Sequence, residues 1–537
     1  MEKRKELENK GMSRRRFLSV MAGASVVGAA ATMTGCSPVS DPSGTGWLPN
    51  QYRNASAIPS QVKGRVPLDP DNVSLVRNDE KCILCGQCIE ACEKVQSVFG
   101  YYELPVHDDF ICVHCGQCSL WCPTGAIKER SVVEEVWNAI QDPETKVIVQ
   151  TSPATRVGIG EEFDMGAGAW AEGQMVTALR KLGFDVVVDT NFSADLTIME
   201  EGSELVERVT KGGVLPQMTS CCPGWVKFVE YYYPELIPNL SSARSPMMMH
   251  GSTLKTYNAD KLGIPYKKIV NVAIMPCLAK KFEISRHQFH GLEGGAGQYH
   301  EDPDVKDMDY VLSVRELADM IRKYLPGEDF ANFEEGQYDQ IGSTAGLIFG
   351  NSGGVMEAAV RSAYYLITGS NPPELLYNLE PVRGLEGIKR ASVNIPGVGD
   401  VKVVVASGLA NARQMCEEIK SGKADFHFLE VMACPGGCIA GGGQPRTAVP
   451  PQDWVRQART DTMYNRDKIG NINGTSVGGG NAGQNAVKTG NLRLSHENPQ
   501  ITDIYTNFLE KPLSHLAHEL CHTTYEDRSG SLTRKEV

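Results

Sequence analysis

Four cysteines in three separated patches could together hold an iron–sulfur cluster. Cys222 lies in Thr-Ser-Cys-Cys-Pro-Gly-Trp, Cys277 follows Met-Pro, and Cys434 and Cys438 form a Cys-x3-Cys pair. Positions so far apart can converge only in the folded chain, and four thiolates meeting at one point are the ligand set of a [4Fe–4S] cluster. Pro and Gly beside each patch indicate sharp turns and a close approach of the backbone to a bulky group.

A second set of eight cysteines lies within 82–122. It has two runs of the form Cys-x2-Cys-x2-Cys-x3-Cys, and the second run ends in Cys-Pro. This is the two-cluster pattern of bacterial ferredoxins, in which the fourth cysteine of each run binds the other cluster. Zinc binding and disulfides are the alternatives, but the tight interlocked spacing favours iron–sulfur clusters. The predicted ligand sets are Cys82, Cys85, Cys88 and Cys122 for one cluster, and Cys112, Cys115, Cys118 and Cys92 for the other.

The patches at 219–225, 275–283 and 430–445 resemble the three sequence motifs of [FeFe]-hydrogenases, which interconvert protons and H2 at an H-cluster. The resemblance runs from about Arg77 to the end of the chain. It implies that Cys222, Cys277, Cys434 and Cys438 bind a [4Fe–4S] cube. It also implies that Cys438 bridges this cube to a diiron subcluster carrying CO, cyanide and a dithiolate.

The resemblance also assigns the residues around the diiron subcluster. A lysine charge beside anionic cyanide ligands is electrostatically reasonable, and neighbouring donors tune a cluster. Ala154 stands where some relatives have Ser, and Met247 where some have Gln. The implied pocket residues are Met275, Met432, Lys280, Pro153 and Ser245.

Cys221 is left over beside Cys222, and a thiol next to an open metal site can deliver and accept protons. The alternative is a small buried apolar residue. Glu201, Glu204 and Arg208 share a helix face by their spacing of three and four, which by itself is also typical of a solvated face. The resemblance implies a proton relay in the order Cys221, Glu201, Ser241, Glu204 and Arg208.

These residues must be positioned by elements that the hydrophobic pattern predicts. Strands are expected at 146–150, 185–189, 270–275, 401–406 and 426–431, and helices near 170–182, 194–210, 353–367 and 409–421. Two strands run directly into Cys277 and Cys434, and ligands just beyond the carboxyl ends of strands are the usual site geometry of an α/β sheet.

The chain of 537 residues divides into several parts. The predicted fold is an α+β ferredoxin-like domain with two [4Fe–4S] clusters, then an α/β H-cluster domain and a helical C-terminal tail. The tail resembles the small subunit of two-subunit periplasmic [FeFe]-hydrogenases. The predicted parts are a signal peptide over 1–36, a linker over 37–76, the ferredoxin-like domain over 77–131, the H-cluster domain over 132–468, a flexible Gly/Asn-rich linker over 469–491 and the tail over 492–537.

The N-terminal segment predicts export. Arg14 and Arg15 precede an uncharged Ala/Gly-rich stretch, which is typical of a Tat signal peptide, and Tat carries proteins that have already folded. A retained membrane anchor is the alternative. Thr-Gly-Cys36-Ser resembles a lipobox, with cleavage near 29–31 as its rival. The expected location is the periplasm or the outer face of the cell membrane, with a possible lipid anchor.

Composition excludes one class of partner. The net charge is −12, and no basic patch with interleaved aromatic residues indicates nucleic-acid binding. The resemblance implies an enzyme acting on H2 and protons, with an external electron carrier such as a c-type cytochrome, a ferredoxin or a membrane partner. An extracytoplasmic site favours H2 uptake. The alternative function is a non-catalytic iron–sulfur assembly protein or an H2 sensor.

Overall fold

The computed structural model describes residues 63–104, 106, 110–289, 305–469 and 492–533. The predicted signal peptide, Cys36 and nearly all of the Gly/Asn-rich linker lie outside these residues. Within them, no helix is long and apolar enough to cross a bilayer.

Within the described residues, ten strands form three sheets. They are β1 Leu75–Arg77, β2 Ile127–Glu129, β3 Lys146–Thr151, β4 Val186–Asp189, β5 Gln217–Met218, β6 Ile269–Met275, β7 Tyr310–Ser313, β8 Ile388–Ile395, β9 Gly399–Ser407 and β10 Phe428–Met432. β1 and β2 pair antiparallel, β4-β3-β6-β7 form a parallel sheet, and β5-β10-β9-β8 form a sheet in which only β8 runs antiparallel. All five predicted strands are present.

Helices cover the sheets, and the four predicted ones are present. Local signals fix several of them, such as the capping box of Ser313 and Glu316. The α-helices are Gln87–Glu90, Gln117–Leu120, Val133–Gln141, Glu172–Leu182, Thr190–Lys211, Pro223–Tyr232, Pro246–Lys255, Tyr257–Leu262, Ala279–Glu283, Val314–Tyr324, Thr344–Ile348, Gly354–Thr368, Leu409–Lys420, Asp453–Ile469, Pro499–Ile504 and His515–Cys521.

The cysteine-dense module begins earlier than the sequence indicated. Val66 and Leu68 are buried in its core, and residues 75–77 form β1, which pairs with β2. The linker predicted over 37–76 therefore extends too far, because its last part supplies apolar residues to this small core.

The module packs tightly onto the α/β part. A Cβ added at Gly442 would lie 2.4 Å from the Cys115 carbonyl oxygen, so only glycine allows this approach of two backbones. Beside it, the buried Arg315 guanidinium donates to Glu129 (Nη2–Oε2, 2.6 Å) and, at 3.3 Å, to the Ser119 hydroxyl. The glycines after Cys438 thus join two domains as well as making a turn.

The tail lies against the helix Thr190–Lys211. Ile501, Ile504, Leu509 and Leu520 are buried in a cluster with Phe192, Leu196 and Met249 of the α/β part. The tail backbone also pairs with the loop before the helix Pro246–Lys255, where His522 forms an antiparallel bridge with Ala243.

Candidate functional site

The four cysteines of the separated patches follow the carboxyl ends of three strands from two sheets. β5 leads to Cys222, β6 to Cys277, and β10 to Cys434 and Cys438. The Thr219 hydroxyl accepts a 3.1 Å bond from the Val431 amide, which ties the first patch to β10. Two patches therefore come from one sheet and the third from the other sheet.

A cavity of about 70 Å³ opens between these strand ends. Its wall is almost entirely apolar. A Cβ added at Gly437, where φ is +97°, would lie 2.6 Å from the Ser352 nitrogen, so the Cys-x3-Cys turn requires glycine. The lining includes the thiol residues Cys221, Cys222, Cys277 and Cys438 together with Pro153, Ala154, Met247, Met275, Lys280 and Met432.

The four converging thiols need a cation. Burial raises the pKa of each, and repulsion between neighbouring thiols raises it further for Cys277, Cys434 and Cys438. Thiolates are the metal-binding form of cysteine. Because crowded buried thiolates are unfavourable without a positive centre, this donor set fits an iron–sulfur cluster.

Lys280 is the charged residue of the cavity wall. Its Nζ donates to the Glu283 carboxylate at 2.7 Å and to the Cys221 carbonyl at 3.2 Å, which holds the ammonium at the cavity edge. Ser245 is predicted to line the same pocket, but it is not among the residues that line the cavity. Its side chain caps the helix Pro246–Lys255 by accepting from the Met248 amide, so the next two residues face the cavity.

Glu201 lies behind Cys221. It is fully buried, and neither carboxylate oxygen has a well-formed hydrogen bond to any residue in the described ranges. Burial, and next the charge of Glu204, raise the pKa of Glu201 to about 8, while the nearby Ser220 backbone and Ser241 hydroxyl offset this only in part. Burial and then the Glu201 charge raise the pKa of the Cys221 thiol well above its ordinary value. Two proton-carrying groups are therefore neighbours.

The outer end of the predicted relay is a hydrogen-bonded group. The Ser241 hydroxyl and the Arg208 guanidinium each donate to Glu204, both at 2.6 Å. The side chains of Glu204 and Arg208 are 14% and 15% exposed. Hydrogen bonds thus join the outer three residues predicted for the relay, while Cys221 and Glu201 lie next to each other at its inner end.

Sequence reasoning missed the contribution of the tail to this region. The Tyr525 hydroxyl donates to the Ser241 carbonyl at 2.5 Å. His522 lies 2.8 Å from the Ser242 hydroxyl through Nδ1 and 3.1 Å from Glu200 through Nε2. Tyr505 also donates to Glu200, at 2.5 Å. The spacing of His515, His518 and His522 was the available signal, although nothing in it indicated which face they meet.

The cysteine-dense module brings its thiols into two interlocked groups. A small cavity is lined by Cys82, Cys85, Cys88 and Cys122, so the last cysteine of the second run joins the first run. Burial and then the neighbouring Cys112 raise the pKa of Cys92 to about 12, and Cys92 in turn adds to the raised pKa of Cys115 and Cys118, so Cys92 lies near the second run. In the described ranges, no group of three His, Cys, Asp or Glu side chains could hold a single metal ion.

The two parts of the molecule place thiols near one another across their interface. Burial raises the pKa of Cys115 well above its ordinary value, and Cys277 is among the thiols that add to the shift. Cys115 in turn contributes to the raised pKa of Cys434, after burial and Cys277. One group of the module is therefore adjacent to the four cysteines at the strand ends.

Comparison with known proteins identifies relatives of both parts. The family model described as the iron-only hydrogenase large subunit, C-terminal domain, matches residues 145–442. The model described as the iron hydrogenase small subunit matches 484–528.

Individual relatives agree with these matches. The periplasmic [Fe] hydrogenase large subunit of Nitratidesulfovibrio vulgaris is 45% identical, over 70% of this chain and 88% of its own. The NADP-reducing hydrogenase subunit HndD of Solidesulfovibrio fructosivorans is 41% identical, over 85% of this chain and 75% of its own. A solved [FeFe]-hydrogenase of Chlamydomonas reinhardtii is similar over 74% of this chain and 98% of its own, with a TM-score of 0.61 and 37% identity. Protein NAR1 of Arabidopsis thaliana is more distant, at 26% identity over 87% of this chain and 88% of its own.

Proposed function

The chain belongs to the iron-only ([FeFe]) hydrogenase family, and from this premise we propose that it catalyses the reversible conversion of H2 into protons and electrons. The observation that carries the proposal is the convergence of Cys222, Cys277 and Cys438 on one apolar cavity with Cys221 in its wall. Binding needs a ligand set, and catalysis of proton chemistry also needs a proton carrier beside it.

The residues present fit an H-cluster and two [4Fe–4S] clusters. The buried and crowded thiols at the strand ends, Cys438 among them, would hold the cluster. Lys280 would face its anionic ligands, and Met275, Met432 and Pro153 would exclude water. When bound, the H-cluster supplies the iron centre at which H2 is cleaved or formed.

Protons would travel along the series that begins at Cys221. The Cys221 thiol is placed to exchange a proton at the cavity wall and Glu201 to hold it next, because the Glu201 pKa of about 8 keeps this carboxyl protonated at neutral pH. Ser241 would connect Glu201 to Glu204 through its hydroxyl. In each step, the surroundings of the group determine its pKa.

Electrons would leave through the cysteine-dense module, which we infer to be a ferredoxin-like domain. The electrostatic influence of Cys115 and Cys277 on each other's side of the interface, together with the close approach of Gly442 to the Cys115 carbonyl, supports a path from the cube to the nearer cluster. The other cluster would lie beside Cys82, whose neighbour Ile83 is 51% exposed, so it would face an external carrier. A c-type cytochrome, a ferredoxin or a membrane partner could accept these electrons.

We further infer H2 uptake outside the cytoplasm. The twin arginines at 14–15 and the apolar stretch after them support Tat export of a protein that already holds its clusters, with Cys36 as a candidate lipid site. An exported hydrogenase has access to H2 and to extracytoplasmic electron acceptors, which favours oxidation.

Infrared and electron-paramagnetic-resonance spectra of the protein matured with the hydrogenase-specific enzymes test the assignment. We expect CO and cyanide bands together with H2-dependent reduction of a dye. Maturation without those enzymes is the control and should give iron–sulfur signals without the bands. Protein that is correctly matured, shows no such bands and does not react with H2 would favour the non-catalytic alternative, an assembly protein or a sensor.

A further inference from the structure

The tail brings an imidazole to the outer end of the relay. The His522 side chain is 5% exposed, and its Nδ1 lies 2.8 Å from the Ser242 hydroxyl. The Ser242 amide in turn donates to Glu204 Oε2 at 3.2 Å. A single residue, Ser242, therefore contacts both the last carboxylate of the relay and a histidine of the tail.

A second imidazole continues from His522 to the surface. The ring of His518 lies 4.4 Å from the ring of His522, centroid to centroid, and His518 is exposed. His515 lies on the same helix but does not join them, because its ring is 92% exposed and faces Glu519. The pair at 518 and 522 thus spans the distance from Ser242 to water.

The outer end of the relay needs a group that can change its protonation state. Arg208 holds Glu204 and also donates to the Leu240 carbonyl at 2.9 Å, but a guanidinium is always protonated and cannot accept a proton. It can orient the carboxylate without taking its proton. Imidazole titrates near neutral pH and is the usual proton shuttle of proteins.

Resting on the proposed hydrogenase function, we propose that His518 and His522 are the solvent end of its proton path. In H2 oxidation the Glu204 carboxylic acid gives its proton through water to an imidazole and becomes a carboxylate. The resulting imidazolium releases the proton to a buffer base, and in H2 production the order reverses. Neither histidine touches the reacting atoms, so both act through Glu204.

The charges around the pair suit this exchange. Burial, and next the ring of His522, lower the pKa of His518, and the three carboxylates of the helix Thr190–Lys211 act in the opposite direction. The lowered pKa favours release of the proton from the His518 imidazolium to solvent, and the three carboxylates limit this lowering. The carboxylates that act on His518 are Glu200, Glu204 and Glu207, and Glu200 also contacts the His522 ring. Arg244 donates to the His522 backbone carbonyl, while Tyr505 and Cys521 interact with Glu200.

Side-chain substitutions can test the chemistry because the tail backbone is held independently. The Arg244 amide donates to the Cys521 carbonyl at 2.7 Å, and the Thr523 amide to the Ser242 carbonyl at 2.8 Å. These bonds remain whatever side chain stands at 522. Glutamine can also replace the hydrogen bond to Ser242 without carrying a proton.

The experiment compares the matured full-length double variant His518→Gln/His522→Gln with the control His515→Gln. We expect turnover at low buffer concentration to fall by about 10²-fold in the double variant alone, which is the lower end of what positioned acid–base groups contribute. Added imidazole should restore it, and the CO and cyanide bands should not change. A double variant equal to the control, or a loss that imidazole does not restore, overturns the inference. A wild-type enzyme without these bands or turnover would instead overturn the proposed function.

A titration provides a second readout. In ¹⁵N-histidine-labelled full-length enzyme, Glu204→Gln should lower the titration midpoint of His518, because it removes a negative neighbour that raises the pKa. His515 should titrate as before. An unchanged midpoint for His518 would show that the tail histidines are not coupled to the relay and would contradict the inference.

Discussion

The Ser241 hydroxyl donates a 2.6 Å hydrogen bond to Oε2 of Glu204. This bond joins the loop after the Cys221 patch to the helix Thr190–Lys211 one turn beyond Glu201. Because the Ser242 amide and Arg208 also donate to Glu204, the carboxylate is fixed in one orientation. A fixed carboxylate between a buried acid and the surface is what a directed proton path requires, and it makes each member of the series testable.

Cys221→Ala should leave the CO and cyanide bands intact and reduce turnover by about 10²–10⁴-fold, the usual contribution of a positioned acid–base group. The thiol lines the cavity without belonging to the four converging ligands, so its loss removes the proton carrier and not the cofactor. Cys416→Ala is the matched control, because Cys416 is a fully buried thiol of another apolar cluster. Normal turnover of the Cys221 variant would mean that protons leave by another route.

Glu201 should carry its proton up to about pH 8. Its pKa is raised from the usual 4.5, so between pH 4.5 and about 8 the folded protein keeps a proton that the unfolded chain releases. The contribution of Glu201 to the free energy of unfolding therefore falls as the pH rises from 4.5 to about 8. The measurement is the infrared C=O band of a protonated carboxyl, compared between wild type and Glu201→Gln. The band assigned by this difference should halve near pH 8. Its disappearance near pH 4.5 would contradict the burial argument.

Sequence patterns predicted much of this architecture because the strands and helices are long and strongly periodic. They failed where the packing surface of a neighbouring element determines the position of a strand or side chain. The short β5 has two residues and no pattern of its own, and β8 alternates as an antiparallel edge strand that was overlooked. Ser245 was assigned to the pocket although Ser before Pro at a helix start is an N-cap signal. The tail residues His522 and Tyr525 could not be placed at the relay, since only tertiary packing decides which surface a helix meets.

Gly442→Ala should weaken electron transfer out of the catalytic domain. The added Cβ would lie 2.4 Å from the Cys115 carbonyl oxygen, so the cysteine-dense module must move away from Cys277 and Cys434. We expect a loss of stability of about 1–3 kcal/mol. H2-dependent dye reduction should fall more than isotope exchange between H2 and D2O, which needs no external acceptor. Gly530→Ala, which meets nothing within 4 Å, is the control. Equal losses in both assays would contradict the electron path.

The double variant Arg14→Lys/Arg15→Lys should retain active enzyme in the cytoplasm. Tat cargo folds before export, so activity per molecule should persist while its location changes. Fractionation of cells measures this, with Arg4→Lys as a control outside the pair. Normal export of the double variant would overturn the Tat assignment. Labelling with radioactive palmitate, with Cys36→Ala for comparison, decides whether Cys36 is lipidated.

The tail should stay bound when its connection to the catalytic domain is cut. A short linker gives an effective concentration in the mM range, which corresponds to about 4 kcal/mol. Burial of Ile501, Ile504, Leu509 and Leu520 contributes more, at about 1.5–3 kcal/mol for each side chain. The buried Asp195 carboxylate also accepts bonds from Ser495 at 2.7 Å and Asn498 at 2.9 Å. The free energy contributed by the contacts of the tail is therefore larger than that contributed by the covalent link.

The experiment places a specific protease site within 470–491 and follows the cut protein by size-exclusion chromatography. We expect the fragments to elute together and turnover to be largely unchanged. Ile504→Asp in the cut protein should release the tail, because a charge would enter a fully buried apolar site, whereas Thr502→Asp at an exposed position should not. Deleting 492–537 should expose the apolar surface around Phe192 and destabilise the enzyme. Separate elution of the cut wild-type fragments, with a stable and soluble catalytic part, would refute the assignment of this segment as a docked small-subunit-like tail.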